Sequence, residues 1–191
     1  MSKGKPDKAG KIEDILRKAE QAFEAAKSGK AHKLLEPLVK KQVPEAMFMA
    51  AHWGKPGETS EAFDQRRLWL LTQAAMRDHA AAIYQLGVQY DTGVDQIKDT
   101  IIASALFEMA AALGHSRGKL MHGLDLMRGL NRIPKDPERG LELIREAAEA
   151  NEEGAAEELE WFMTKAENAS ETNPDKKEGE NNGNDEGRTA V

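Results

Sequence analysis

Apolar side chains recur at steps of three and four residues along most of the chain, which is the spacing of one face of an α-helix. The first such run consists of Ile12, Ile15, Leu16, Ala19, Phe23 and Ala26. We expect this helix to end at the Ser-Gly pair at 28–29 and a second helix to follow over residues 34–39. Pro37 lies inside the second run, where a proline costs about 3 kcal/mol, so the sequence predicts a kink or a helix that restarts there.

The pattern of small and apolar residues then returns every 36 residues. The first two copies match in pairs: Ala46 with Ala82, Phe48 with Tyr84, Ala51 with Gly87, Gly57 with Gly93, and His79 with His115. A third copy starts at Arg117 and keeps the step of 36 as far as Gly129, after which one extra loop residue makes the step 37. Because a stacked helix hairpin tolerates an insertion in its loop, each copy is predicted to be a helix A, a loop and a helix B.

Residues suited to helix ends stand at the predicted boundaries. Asp99 and Asp136 precede the B helices, where a carboxylate that accepts from the first-turn N–H groups contributes about 1 kcal/mol. Gly114 and Asn151 follow these helices, and both residue types tolerate the left-handed conformation of a C-cap. A last half-copy begins at Ala155 and carries Glu at positions that were apolar or small, as the polar face of a terminal cap requires.

The second copy resembles the Sel1-like repeat (SLR), a relative of the tetratricopeptide repeat. It reads AAIYQLGVQYDTG, then Asp99, Ala103, Leu106 and AALGH. Family positions also recur in the other copies, as Gly123, Gly129, Asp136 and Ala147-Ala148 in the third and Ala46, Ala51, Gly57 and Ala74-Ala75 in the first. The resemblance implies an all-α, right-handed superhelical α-solenoid that serves as an adaptor in protein complexes, commonly bacterial. The family shares no catalytic residues, so the resemblance implies none here.

The chain is therefore expected to have three parts. A polar lead (residues 1–9) and an Asn-, Asp-, Glu- and Gly-rich tail (residues 165–191) have almost nothing to bury and are expected to be disordered. The repeat domain between them comprises a helix pair at 12–43, copies at about 44–79, 80–116 and 117–154, and a capping helix at 155–164.

Composition narrows the classes of function. The 191 residues carry a formal net charge of −6 and no cysteine. The negative charge does not suit a nucleic-acid partner, and the absence of cysteine removes disulfides, thiolate ligands and Cys nucleophiles. The basic N-terminus is followed by no apolar run, and no stretch is long enough to span a bilayer. We expect a cytoplasmic monomer without membrane insertion.

Five histidines are the main candidates for metal or catalytic chemistry. His79 and His115 share one repeat position at the predicted end of helix B, where an imidazole can interact with the last carbonyls, so a structural role is favoured. His122 could approach His115 across a turn, but no H-E-x-x-H spacing supports zinc, and no P-loop or dinucleotide fingerprint is present. The Glu-rich cap is expected to be a solvated helix face. The sequence therefore predicts neither an enzyme nor a cofactor.

A surface is the better functional candidate. In solenoids of this kind the A helices line the concave face. Some positions of each A helix pack against other helices, and three or four positions per copy beside them are expected to face outward. The predicted partner-binding residues are Met49, His52, Trp53, Gln85, Val88, Gln89, Met121, Leu124, Asp125 and Arg128. Their apolar members would form a partly Met-lined groove of the kind that marks adaptable protein contacts.

The leading hypothesis is a scaffold or adaptor that binds a partner protein or peptide through the concave face. The alternative is a sensor or carrier of a small molecule or cell-wall glycan, and a hydrolase ranks below both. The terminal Thr189, Ala190 and Val191 could add as a strand to a PDZ groove, although a flexible tail is the default reading.

Overall fold

The computed structural model describes residues 8–94 and 96–171, and these residues form nine α-helices and no strand. In chain order the helices are α1 (Lys8–Glu24), α2 (Ser28–Lys40), α3 (Pro44–His52), α4 (Ser60–Ala75), α5 (Ala80–Thr92), α6 (Thr100–Ala112), α7 (Ser116–Arg128), α8 (Pro137–Glu149) and α9 (Ala155–Glu171). Each helix packs chiefly against its neighbours in sequence, so the chain stacks as four hairpins followed by α9. The predicted all-α repeat fold is confirmed.

Two surfaces follow from this stacking. The first helices of the hairpins together with α9 form what we call the A face (α1, α3, α5, α7 and α9). The second helices form the B face (α2, α4, α6 and α8). Between them lies a core rich in alanine, whose small side chains let the helices approach closely.

The register of the second and third copies is the one that the sequence predicts. The Asp99 N–H donates to the Tyr90 carbonyl at 2.8 Å, and the Asp136 N–H donates to the Leu126 carbonyl at 3.0 Å. Because the two bonds join equivalent positions on either side of the loop, the extra residue of the third copy is absorbed in the loop.

Both aspartates also cap the helices that follow them. Asp99 Oδ1 accepts from the N–H groups of Ile101 and Ile102 at 3.0 and 3.1 Å, and Asp136 Oδ1 accepts from the N–H of Arg139 at 3.0 Å. The predicted N-caps are therefore confirmed.

The ends of the B helices also match their prediction. Gly114 and Asn151 take left-handed conformations, with φ of +87° and +56°. The N–H of each donates back three residues, to the carbonyls of Ala111 and Ala148 at 2.9 Å. Both bonds satisfy carbonyl groups that a helix end leaves without a partner.

Two helices of the third copy approach each other closely at Gly123 of α7 and Gly140 of α8. A Cβ added to either glycine would lie 2.9 Å from the carbonyl oxygen of the other. The backbones therefore touch where any side chain would hold them apart, which explains why the third copy has glycine where the second has Ala103.

The first copy departs from its relatives after α3. This helix ends at His52 after nine residues, whereas α5 and α7 each run for thirteen. Gly57 does have a positive φ of +76°, as its match to Gly93 suggests, but it lies in a turn five residues beyond the helix. Pro56, which cannot continue a helix, fits this early ending.

In the first copy Thr59 caps α4 in place of an aspartate, with its hydroxyl oxygen accepting from the N–H of Ala62 at 3.2 Å, and a buried ion pair holds the loop before it. Arg66 donates to both carboxylate oxygens of Glu58, at 2.6 and 2.8 Å, and these two side chains are only 15% and 10% exposed. Arg66 also donates to the carbonyls of Ala50 and Trp53, at 2.7 and 2.9 Å. The Arg66 guanidinium lowers the pKa of Glu58 to about 2, so this carboxylate stays charged.

The N-terminal helices differ from expectation in two ways. Ser28 begins α2 rather than ending α1, since α1 stops at Glu24 and Ala26 takes a left-handed conformation with φ of +55°. Of the two outcomes expected at Pro37, a kink or a restart, the restart is wrong, because α2 continues through this residue. Pro37 is exposed, so water can satisfy the carbonyl that its missing N–H leaves free.

The ends of the described chain extend past the expected domain limits. Helix α1 already begins at Lys8, and α9 continues to Glu171, seven residues beyond the expected end of the cap at 164. The remainder of the predicted tail, including Thr189, Ala190 and Val191, lies outside the described residues. Within the described part of the chain, no helix combines the length and apolar character needed to cross a bilayer.

Candidate binding surface

Seven of the ten predicted surface residues are partly or fully accessible on the A face. They are His52, Trp53, Gln85, Val88, Met121, Leu124 and Arg128. Val88 and Leu124 occupy the same register position on α5 and α7, and neither is fully buried. An apolar row therefore crosses from one hairpin to the next.

The other three residues were expected to face outward and do not. Met49, Gln89 and Asp125 are only 9%, 6% and 8% exposed. Each A helix packs against elements on both sides. More of its surface is therefore buried than the sequence pattern indicates. Met49 still contributes to the floor of a groove described below, whereas nothing places Gln89 or Asp125 where a partner could reach them.

Asp125 belongs to a buried polar cluster. Its Oδ2 accepts from the Ser104 hydroxyl at 2.6 Å, and Asn131 Nδ2 donates to the Ser104 oxygen at 2.7 Å. Burial raises the pKa of Asp125, and the Ser104 hydrogen bond partly offsets that effect. Because the cluster joins α6, α7 and the loop after α7, its role is to hold the third repeat copy against the second.

The paired histidines are N-caps rather than helix ends. His79 and His115 precede α5 and α7, and their Nδ1 atoms accept from the N–H groups of Ala82 and Gly118 at 3.2 and 3.1 Å. The expectation that they bind the last carbonyls of the B helices is therefore wrong. The left-handed residue just before each histidine ends the B helix, so the imidazole already belongs to the next helix.

Each of these imidazoles also stacks on an aromatic ring of the preceding A helix. The His79 ring lies 4.5 Å from Phe48, and the His115 ring lies 4.7 Å from Tyr84. His79 Nε2 donates to Glu45 at 2.7 Å. Since Nδ1 accepts and Nε2 donates, His79 is in the tautomer with its proton on Nε2. Two A helices are thus joined at each site.

A cavity on the A face lies between α1 and α3 and has a volume of about 930 Å³. Its lining residues are Glu13, Leu16, Arg17, Glu20, Glu45, Phe48, Met49, His52 and Trp53. The cavity therefore has an apolar floor and a charged rim. Three of the predicted site residues line it, but the α1 side was not predicted, because the sequence reading treated α1 only as part of a leading helix pair.

Trp53 holds the two walls of this groove together. Its ring stacks on Phe23 of α1 with centroids 3.6 Å apart. His32 Nε2 donates to its carbonyl at 2.9 Å, the same carbonyl that accepts from Arg66. Trp53 is consequently a structural wall of the groove as well as a candidate contact.

The side chains of His52 and Gln85 are hydrogen-bonded to each other. Gln85 Nε2 donates to His52 Nε2 at 2.7 Å, and His52 Nδ1 donates to the Phe48 carbonyl at 2.8 Å. The pair bridges α3 and α5 on the A face. A partner that used either side chain would first have to replace this bond.

The C-terminal end of the A face carries an aromatic side chain that the sequence reading missed. Trp161 of α9 is 51% exposed and, like Arg128, lines both of the cavities found at this end. Lys165 lies 4.6 Å above its ring. The sequence contains a signal for this residue. Trp161 follows Leu124 by 37 residues, which is the repeat step, and so continues the row of Val88 and Leu124.

No group of three or more His, Asp or Glu side chains within the described ranges is arranged to hold a metal ion. The sequence suggested His122 as a neighbour of His115. Within the same described ranges, the Nδ1 atom of His122 is buried and has no hydrogen-bond partner. Burial lowers the pKa of both imidazoles, which favours neutral side chains.

Comparison with known proteins identifies the repeats. The family model described as Sel1 repeat matches residues 80–115 and 121–152. These segments are the second copy and most of the third, where the Gly, Asp and Ala-Ala positions recur in register. No curated protein sequence matches the chain significantly.

Solved structures support the same fold. A Sel1 repeat protein from Oxalobacter formigenes superposes with a TM-score of 0.66 and 21% identity, over 78% of this chain and 59% of that one. A protective antigen of uropathogenic Escherichia coli with an SLR fold superposes with a TM-score of 0.61 and 18% identity, over 75% of this chain and 32% of that one. The chain thus spans less than two thirds of either relative. Residues 80–115 and 121–152 of this chain thus match the Sel1 repeat, and the described helices share the fold of solved Sel1-like repeat proteins.

Proposed function

We propose that this chain is a non-catalytic scaffold that binds a partner protein or peptide on its A face, the side that a repeat solenoid is expected to make concave. The observation that carries the proposal is the apolar row of Val88, Leu124 and Trp161 at one register position of three successive A helices. Partly exposed apolar side chains aligned across separate repeats suit an extended partner better than a small ligand.

Two further features support the same surface. Met121 lies next to this row and is partly exposed, and a flexible thioether adapts to partners of different shape. Sel1 repeats are commonly protein-interaction scaffolds, and the apolar groove between α1 and α3 extends the accessible surface toward the N-terminal end.

Affinity capture with paired surface variants tests the proposal. Val88→Glu with Met121→Glu places two charges on the A face at side chains outside the main core clusters. We expect this double variant to lose the partner that the unchanged protein captures, while its helical circular dichroism stays the same. Trp53 is unsuitable for this test because its ring packs on Phe23.

The matched control is Ile102→Glu with Met109→Glu on α6, where the two side chains are 41% and 50% exposed on the B face. This control should retain the partner. Retention of the partner by the A-face variant, or its loss from the B-face control alone, would contradict the proposed surface.

A further inference from the structure

The groove between α1 and α3 has a charge pattern that specifies its occupant. Its floor is formed by Leu16, Phe48, Met49 and Trp53, which offer an apolar contact area. Its volume of about 930 Å³ is large enough to take several side chains of a bound segment.

Two carboxylates stand on the α1 rim of this groove. Glu13 and Glu20 are both exposed, and seven helical residues separate them by about 10 Å along the helix axis. Leu16 lies between them on the same lining surface. In the described part of the chain neither carboxylate forms an ion pair.

The other charged side chains that line the groove do not neutralise the negative charge of Glu13 and Glu20. Arg17 is the one Lys or Arg among the lining residues, and it pairs with Asp14 outside the groove. On the opposite wall Glu45 accepts from His79, and that hydrogen bond lowers the pKa of Glu45, which keeps it charged. An occupant therefore meets three carboxylates around an apolar floor.

We propose that this groove binds a peptide segment of a partner protein in which apolar side chains lie between two Lys or Arg residues. This inference rests on the proposed function and names the chemistry of the partner. The apolar side chains contact Leu16 and Phe48, while the flanking cations reach Glu13 and Glu20.

Charge argues against the C-terminal segment of this chain as the occupant. Residues 172–191 contain five Asp or Glu and three Lys or Arg, so this segment carries the same net sign as the rim. A second copy of the whole chain, with a net charge of −6, is disfavoured for the same reason. A cationic partner gains both attraction to the rim and faster association.

Fluorescence anisotropy with two synthetic peptides tests the inference. The basic peptide has two Leu residues between two Lys residues seven positions apart, and the acidic peptide has Glu in place of each Lys. At physiological ionic strength we expect the basic peptide alone to bind the unchanged protein. Glu13→Lys with Glu20→Lys should weaken that binding at least about tenfold and should allow the acidic peptide to bind.

The matched control is Glu24→Lys with Glu149→Lys, which makes the same change in net charge at exposed positions outside the groove. It should bind the basic peptide like the unchanged protein. The inference is overturned if neither peptide binds, if the acidic peptide is preferred, or if both double variants behave alike. Partner capture that still depends on Val88 and Met121 would then show that the proposed function survives without it.

Discussion

At the scale of single residues, the recurring histidine is the most informative position. His79 and His115 each accept a backbone N–H of one A helix and stack on an aromatic ring of the previous one. At the same position of the third copy stands Glu152, which pairs with Arg117 at 2.9 Å. A contact between neighbouring A helices is thus kept while its chemistry changes from stacking to an ion pair.

Burial of neutral imidazoles predicts that acid destabilises the fold. Burial is the largest cause of a lowered pKa for His32, His115 and His122, compared with an ordinary value of 6.5. The unfolded chain therefore binds more protons near and below that pH than the folded chain does. Their contribution is present above pH 6.5 and is lost as the pH falls from 6.5 through the lower pKa values of the folded chain. Urea titrations between about pH 7.5 and 5 should show a falling free energy of unfolding.

His115→Asn provides the comparison, because asparagine can keep the N-cap hydrogen bond without titrating in this range. Its free energy of unfolding should depend less on pH than that of the unchanged protein. A free energy of unfolding that stays constant or rises toward pH 5 would contradict the assignment of buried neutral imidazoles.

At the scale of helices, the second and third repeat copies were predictable and the first was not. Local signals define the later copies, with Asp99 and Asp136 one residue before α6 and α8 and glycines where α5 and α7 end. The helix after the α3 loop also has a local cap, Thr59, but the loop itself depends on Arg66 and Glu58, which lie eight residues apart and act together with the Ala50 carbonyl of α3. No short-range sequence pattern predicts an ion pair such as that of Arg66 and Glu58.

The crossing of α7 and α8 gives a prediction for the third repeat copy. Gly140→Ala adds a Cβ that lies 2.9 Å from both the Gly123 carbonyl oxygen and Met127 Cγ. Since a carbonyl cannot move aside as a side-chain end can, we expect this substitution to lower the free energy of unfolding by about 1–3 kcal/mol. Chemical denaturation measures the change.

Gly54→Ala is the matched control, because its added Cβ would meet only Phe63, at an ordinary 4.0 Å. We expect a change within about 0.5 kcal/mol for this exposed position. Equal destabilisation by both substitutions would show that the close approach of α7 and α8 is not what the glycines serve.

The candidate site was only partly predictable for a geometric reason. Counting the repeat places Val88, Met121 and Leu124 on one face, but it does not show how wide the packed stripe is. Gln89 and Asp125 lie just inside that stripe and are buried. Helix α1, which forms one wall of the groove, lies outside the 36-residue repeat. The repeat pattern therefore could not indicate which face residues such as Glu13 occupy.

At the scale of the whole molecule, the stacked hairpins separate two surfaces with different features. The A face carries the apolar row that ends at Trp161 and the acidic-rimmed groove between α1 and α3. The B face exposes Trp69 and Met109. Apolar exposure alone therefore does not distinguish the faces, and the proposal for the A face depends on the register of its side chains across repeats.

Site-specific photo-crosslinking in the native cell tests this account most directly. Benzoylphenylalanine would replace Val88 or Trp161 on the A face, and Trp69 or Met109 on the B face, with crosslinked proteins identified by mass spectrometry. We expect one and the same partner to crosslink from both A-face positions and from neither B-face position. Crosslinks that form only from the B face, or from none of the four positions, would contradict a scaffold that binds its partner on the A face.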